Sequence, residues 1–406
     1  MNPVKLLTKV NKTLMLLLAL IVLGMNLRSP LTAVPPVLQS LLHDLKLNAT
    51  LTGLLTSIPV LCFGTLTPII SVVISKIGIN KSMWITLIGA SIGILLRPYT
   101  GEIGILAGTF ILGTALATGN IVSLMIIGRD FRHRMGVVTG IYTSSLNIGT
   151  MITSSMTAPI AHIMGWQFAL ASWVWLPVLA LLLWQISQSQ NKEVTSIAPG
   201  YTLTRQKYSH FFSVQQKIVI ASLSAGFAAH LFIYYGITAW LPAYLMSVSG
   251  ISASGAGVIA SIFQGLALSG ALIIPALGRY IKYEYLLVVM GGCWIVSISL
   301  ILIFPTFWII WCFTGGIAQG GGFVVIFTLI MKLSTNLDDN KRISVIVQGI
   351  GYTLASLGPI FMGYIYEYFR NWSQSWILLA LISFIIILSG LTSIIALSGK
   401  ERGRMD

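Results

Sequence analysis

Charge is what this chain has least of. Only 8% of its 406 residues are charged, and acids are rarest, with 10 Asp and Glu against 24 Lys and Arg. A soluble globular domain carries about 25% charged residues, so most of this surface is not made to face water. Its three cysteines, Cys62, Cys293 and Cys312, all lie in apolar runs without CxxC spacing. That excludes a disulfide framework and a zinc site. HExxH, a GxSxG elbow and paired buried carboxylates are missing too, which removes the usual hydrolase and metalloprotease readings. No cofactor or metal is expected, and the chain is not read as an enzyme.

What is present is apolar: 56% of the residues are hydrophobic. A spanning helix needs roughly 20 mostly apolar residues. Twelve such runs stand at approximately 13–42, 51–75, 82–98, 102–128, 136–160, 166–186, 218–246, 252–277, 285–304, 306–331, 343–366 and 373–397. The start, "KLLTKVNKTLMLLLALIVLGM", has the basic-then-apolar order of a signal peptide, but no A-x-A-like cleavage site follows. It reads as an uncleaved first span.

The basic residues set the orientation. With the N-terminus inside, 20 of the 24 Lys and Arg fall on the cytoplasmic side, and Lys46, Arg97 and Arg370 fall outside. That bias argues for twelve spans with both termini cytoplasmic. It also disposes of a nucleic-acid reading of the +14 net charge, because the cations are dispersed between spans. The longest hydrophilic connection, 187–217, follows span six. The chain therefore divides into a six-helix half at 1–186, a central cytoplasmic loop at 187–217 and a second six-helix half at 218–406. The halves echo each other weakly. "GLLTSIPV" from Gly53 matches "GVIASIFQ" from Gly257, and "GTALATGN" from Gly113 matches "GIAQGGGF" from Gly316. Parallel six-span repeats with substrate between them are the build of the major facilitator fold.

One cation is left over. Arg28 sits inside the first apolar run, in "GMNLRSPLTAVPP" at 24–36, and no acidic residue shares its depth. An arginine near a span centre costs about 2.5–3.5 kcal/mol on insertion scales and faces the bundle interior or a water-filled cavity. Carbonyls freed by Pro30, Pro35 and Pro36 are one way to hold it. A substrate serving as the missing counterion is the other, and a planar fork of donors suits a small anion or an acceptor-rich solute. Asn26 lies beside it. His230 is the second candidate, with Tyr234 and Thr238 at successive turns of span seven. A neutral imidazole would bond substrate, and a titrating one would couple transport to protons. Asn120, Asn147, Gln264, Gln319, Gln348 and Tyr352 place further donors and acceptors at mid-depth in both halves. Taken singly each serves as interhelical glue; together they would line a cavity. An aromatic lining of Trp240, Phe263, Phe323 and Phe327 is the alternative, and it points to drug or metabolite efflux.

The opening "MNLRSPLTAVPPVLQSL", the "LLT..P" of Leu54, Leu55, Thr56 and Pro59, "LLRPYTGE", and "GRDFRHRMGVVTGIYTSSLNIG" together resemble the cyanate/2-nitroimidazole transporter family of the major facilitator superfamily. The resemblance implies residence in the bacterial inner membrane and transport of small solutes. The chain is expected to be an all-α protein of twelve transmembrane helices and a monomer, with the lipid bilayer, a small-molecule substrate and a proton as its expected partners. It marks Asn26 and Arg28 as the motif's polar pair. One departure stands out: the superfamily's Gly-x-x-x-Asp-Arg-x-Gly loop between spans two and three reads here "SKIGINKS", without the acid.

Overall fold

The computed structural model describes residues 3–189, 212–334 and 337–402. The first half comprises α1 (Pro3–Thr32), a 3-10 turn (Pro35–Val37), α2 (Leu38–Leu45), α3 (Ala49–Thr65), α4 (Thr67–Ile77), α5 (Ile79–Tyr99), α6 (Gly101–Asp130), α7 (Met135–Ser172) and α8 (Trp175–Ser189). The second comprises α9 (Val214–Ser249), α10 (Ala253–Leu277), α11 (Tyr283–Ile303), α12 (Trp308–Leu333), α13 (Leu337–Ala355), α14 (Leu357–Phe369) and α15 (Trp372–Arg402). Most of the central loop, residues 190–211, lies outside the described residues. Among the described residues there are no strands. That is what lipid permits, since a helix satisfies its backbone internally.

Ten segments are long and apolar enough to cross a membrane. One of them, Val137–Gln188, runs 52 residues, far beyond the roughly 20 that one crossing needs. It folds back at Gly165, whose φ of 84° and ψ of 156° suit a residue without Cβ. It is therefore two spans. A further crossing is broken: α3 and α4 meet at a 62° bend. Pro68 causes it, having no N–H for the Gly64 carbonyl and a ring that clashes there. The crossings then number twelve, as the apolar runs indicate. Large side chains such as Ile103, Ile163 and Leu272 remain exposed. Such an apolar exterior belongs in a bilayer.

Within the first half α1 packs on α7 and α8, and α5 on α6; within the second, α9 packs on α13 and α15, α10 on α12, and α11 on α15. The halves meet along α7 with α10 and along α3 with α13 and α14. Call the end where α1 begins the basic end and the opposite one the far end. The halves are latched at the far end. The Thr50 hydroxyl and N–H both donate to Glu367 Oε2, at 2.9 and 3.3 Å. Gly363 lies so close to the Ala49 carbonyl that a Cβ would stand 2.7 Å from it.

At the basic end, Asn80 lies in the loop that lacks the family acid. It accepts from Arg129 Nη1 at 3.1 Å and donates to Gln188 at 3.4 Å. Arg129 also pairs with Asp130 at 2.7 Å.

Candidate functional site

The candidate site forms around α1. Pro30 cannot donate to the Asn26 carbonyl, and the helix stops at Thr32. The Pro30 carbonyl, in the last turn of the helix, is taken by a guanidinium, but not by that of Arg28. Arg97 of α5 donates from Nη1 at 2.9 Å. A cation at a helix C-terminus also meets the negative end of the dipole. Arg97 is 4% exposed, and its Nε and Nη2 have no partner among the described residues. Sequence reading counts it among the charges at span ends. The signal that could have found it is the apolar stretch leading into "LLRP".

Arg28 is only half-buried. No carboxylate and no hydrogen-bond acceptor holds its guanidinium among the described residues. Its Cζ lies 5.8 Å from the ring centroids of Tyr234 and of Phe323, within the range where a ring face attracts a cation. Arg28 belongs to the first half, whereas Tyr234 on α9 and Phe323 on α12 belong to the second. The contact crosses the interface.

Behind Tyr234 runs an amide relay. Its hydroxyl donates to Gln264 Oε1 at 3.4 Å, Gln319 Nε2 donates to the same oxygen at 3.0 Å, and Gln264 Nε2 donates to Thr238 at 3.0 Å. Tyr234, Gln264 and Gln319 are all buried, so the relay fixes the ring and leaves the Gln319 Oε1 unpaired.

His230 is fully buried. The Trp294 indole donates to its Nδ1 at 3.1 Å. An imidazole that accepts at Nδ1 carries its proton on Nε2 and is neutral. Its Nε2 has no hydrogen-bond partner among the described residues. The ring lies edge-on to Phe323 at 5.6 Å, which places His230 behind an aromatic neighbour of Arg28 rather than beside Arg28 itself.

The other expected residues separate into groups. Asn120 accepts from Tyr142, 3.5 Å away, and Tyr142 in turn accepts from Ser123 at 2.8 Å. Tyr352 is half-buried and packs its ring on Phe63 and Phe227, at 5.7 and 5.6 Å. Phe227 also meets Phe323 and Phe327, so part of the aromatic set adjoins Arg28. Asn147 Nδ2 bonds the Thr143 carbonyl of its own helix at 3.1 Å, and Gln348 is half-buried. Asn26 is fully buried with both amide atoms unpaired. Trp240 stands apart, donating to Pro359 at 2.8 Å and packing on Trp372. Phe263 packs on Trp294. No cluster of three or more potential metal ligands occurs among the described residues.

Comparison with known proteins agrees with this architecture. The chain is 28% identical to an uncharacterized transporter, YycB, of Bacillus subtilis over 90% of its own length and 89% of the relative's. It is 26% identical to the 2-nitroimidazole transporter of Escherichia coli, covering 93% of this chain and 95% of that one. It is also 26% identical to the cyanate transport protein CynX of the same organism, covering 89% and 92%. Among solved structures it resembles the nucleoside transporter NupG with a TM-score of 0.73 at 14% identity, covering 93% and 99%. It resembles a D-xylose-proton symporter with a TM-score of 0.70 at 13% identity, covering 94% and 97%. The Major Facilitator Superfamily matches residues 14–337; twelve crossings in two six-span halves are its build, and the chain belongs to that superfamily as a multi-pass membrane transporter.

Proposed function

We propose that the chain carries a small monovalent anion or a polar, planar organic solute, cyanate- or nitroimidazole-like, by alternating access, with Arg28 as the anchor. The basic end is cytoplasmic in this reading, and the far-end latch closes the outward side. The observation that carries it is the half-exposed Arg28 guanidinium without a counterion, flanked by Tyr234 and Phe323. A lone cation without a second basic partner balances one negative charge, and its fork suits a flat acceptor. The two Escherichia coli relatives, named for 2-nitroimidazole and cyanate transport, support the same substrate class.

The rings that favour an efflux reading, Phe323 and Phe327, cluster at Arg28. They serve here as the flank of a charged site. His230, held neutral by Trp294, acts as a support for Phe323; no proton step is assigned to it. Asn26, Asn120, Gln348 and Tyr352 remain candidates for substrate contact.

The test is counterflow in proteoliposomes with radiolabelled cyanate and 2-nitroimidazole. Arg28→Gln is expected to weaken transport about 100-fold, in line with truncating one member of a buried charge pair. The purified variant should still melt cooperatively. Transport at the wild-type rate in Arg28→Gln overturns the assignment.

A further inference from the structure

The 62° break between α3 and α4 leaves a wedge in the first half. A cavity of about 250 Å³ fills it, lined by Ile69, Val73 and Ile77 of α4, Ile85 of α5, and Thr114 and Thr118 of α6. Every lining residue comes from the first half, and none is among the expected substrate contacts. The cavity therefore shares no lining residue with the candidate substrate site. Its walls are mostly aliphatic, and Ile69, Val73 and Ile85 are exposed. An apolar cavity gives water too few partners to hold it. From Leu66 to Ile77 the α4 wall extends about 16 Å, at 1.5 Å per residue, so the space is long rather than round.

One end of it is marked by charge. Lys76 lies between the lining residues Ile74 and Ile77, and Lys81 precedes the lining residue Ser82; both are at the basic end of the wedge and both are exposed. Neither has an ion-pair partner among the described residues. Arg129, the cation at the end of α6, is already occupied by Asp130 and Asn80. An aliphatic slot whose basic-end lining residues are flanked in sequence by two exposed lysines matches one kind of molecule: a lipid with an acyl tail and an anionic phosphate headgroup. Basic residues at a membrane surface attract such headgroups, while the tail replaces the packing that Pro68 takes from α4.

We propose that the α4–α5–α6 wedge is a binding site for an anionic phospholipid, with one acyl chain in the slot and the phosphate at Lys76 and Lys81. The lipid then stands where a straight span two would have packed, and it props the bend.

The purified full-length chain in mild detergent is offered dioleoylphosphatidylglycerol or dioleoylphosphatidylcholine, and retained lipid is counted by native mass spectrometry. Phosphatidylglycerol should be retained about tenfold better, given the contribution of each basic residue at a membrane surface. K76Q/K81Q should bring it down to the phosphatidylcholine level. V73W, which fills the slot, should lower retention of both lipids; I85W, on the opposite wall, serves the same purpose if V73W is not monodisperse. Equal retention of the two lipids by the wild type overturns the headgroup assignment. Undiminished retention in a slot-filled variant overturns the seat for the tail.

Discussion

In the first half, several interior polar groups are tied to main chain and hydroxyls: Arg97 to the Pro30 carbonyl, Thr32 to Thr153 at 2.7 Å, Asn147 to its own helix. In the second half, one cluster near Arg28 is tied side chain to side chain: Trp294 to His230, and Gln319 to Gln264 to Thr238, with Phe227, Phe323 and Phe327 packed alongside. The first half thus presents a charge on a helix that proline has cut short. The second presents a rigid wall of rings and amides. A guanidinium needs a shaped, polarizable surface beside it, and a wall of locked side chains provides one without supplying a competing counterion.

The sharpest test of the locked wall is Gly322→Ala on α12. A Cβ there would stand 2.5 Å from the His230 ring, which Trp294 holds in place. Overpacking of this kind costs about 2 kcal/mol. The melting temperature should drop by several degrees, and substrate affinity should drop with it. An unchanged melting curve would mean that the His230 pocket gives way and the wall is soft.

Next comes the ring itself. Phe323→Leu keeps the bulk and removes the π face, so binding should weaken by about 1 kcal/mol, a loss of about fivefold readable by isothermal titration calorimetry. Tyr234→Phe, which keeps the face, should lose less. A reversal of that order would make the hydroxyl, not the ring, the partner of substrate or of Arg28.

Smaller again is the latch where the halves meet. Thr50→Val removes one hydroxyl donor to Glu367, worth about 1 kcal/mol. A cysteine probe placed near the far end should label a few times faster. No change in labelling would show that glycine packing alone closes that end. The smallest effect belongs to Asn147→Ala, whose amide serves its own helix; transport and stability should shift by less than about 0.5 kcal/mol. A large loss there would return Asn147 to the substrate contacts and make the first half richer than described.

The sequence made the spans legible, because a bilayer imposes length and apolarity on every crossing. It also exposed Arg28, since a cation in an apolar run has nowhere to hide. Other features depend on residues far apart in the chain. Arg97 looks like an ordinary span-end charge until Pro30, 67 residues earlier, offers its carbonyl, and until Gly108 of α6 leaves room for its stem. His230 looks like a proton carrier until Trp294, 64 residues later, takes its Nδ1. The apolar run at 51–75 reads as one unbroken span; its 62° bend and the wedge it leaves are properties of packing around Pro68. Asn80, in the loop that lacks the family acid, accepts from Arg129, a pairing that spacing alone does not announce.

Arg28 is rooted in the first half, and the two rings that face it are rooted in the second. If Arg28 anchors the solute as proposed, rocking of the halves would widen or narrow the gap in which it lies. Grip and geometry would then be a single variable. A solute that fits the gap between cation and rings would draw the two halves together merely by occupying it, and one that does not fit would leave them where they were.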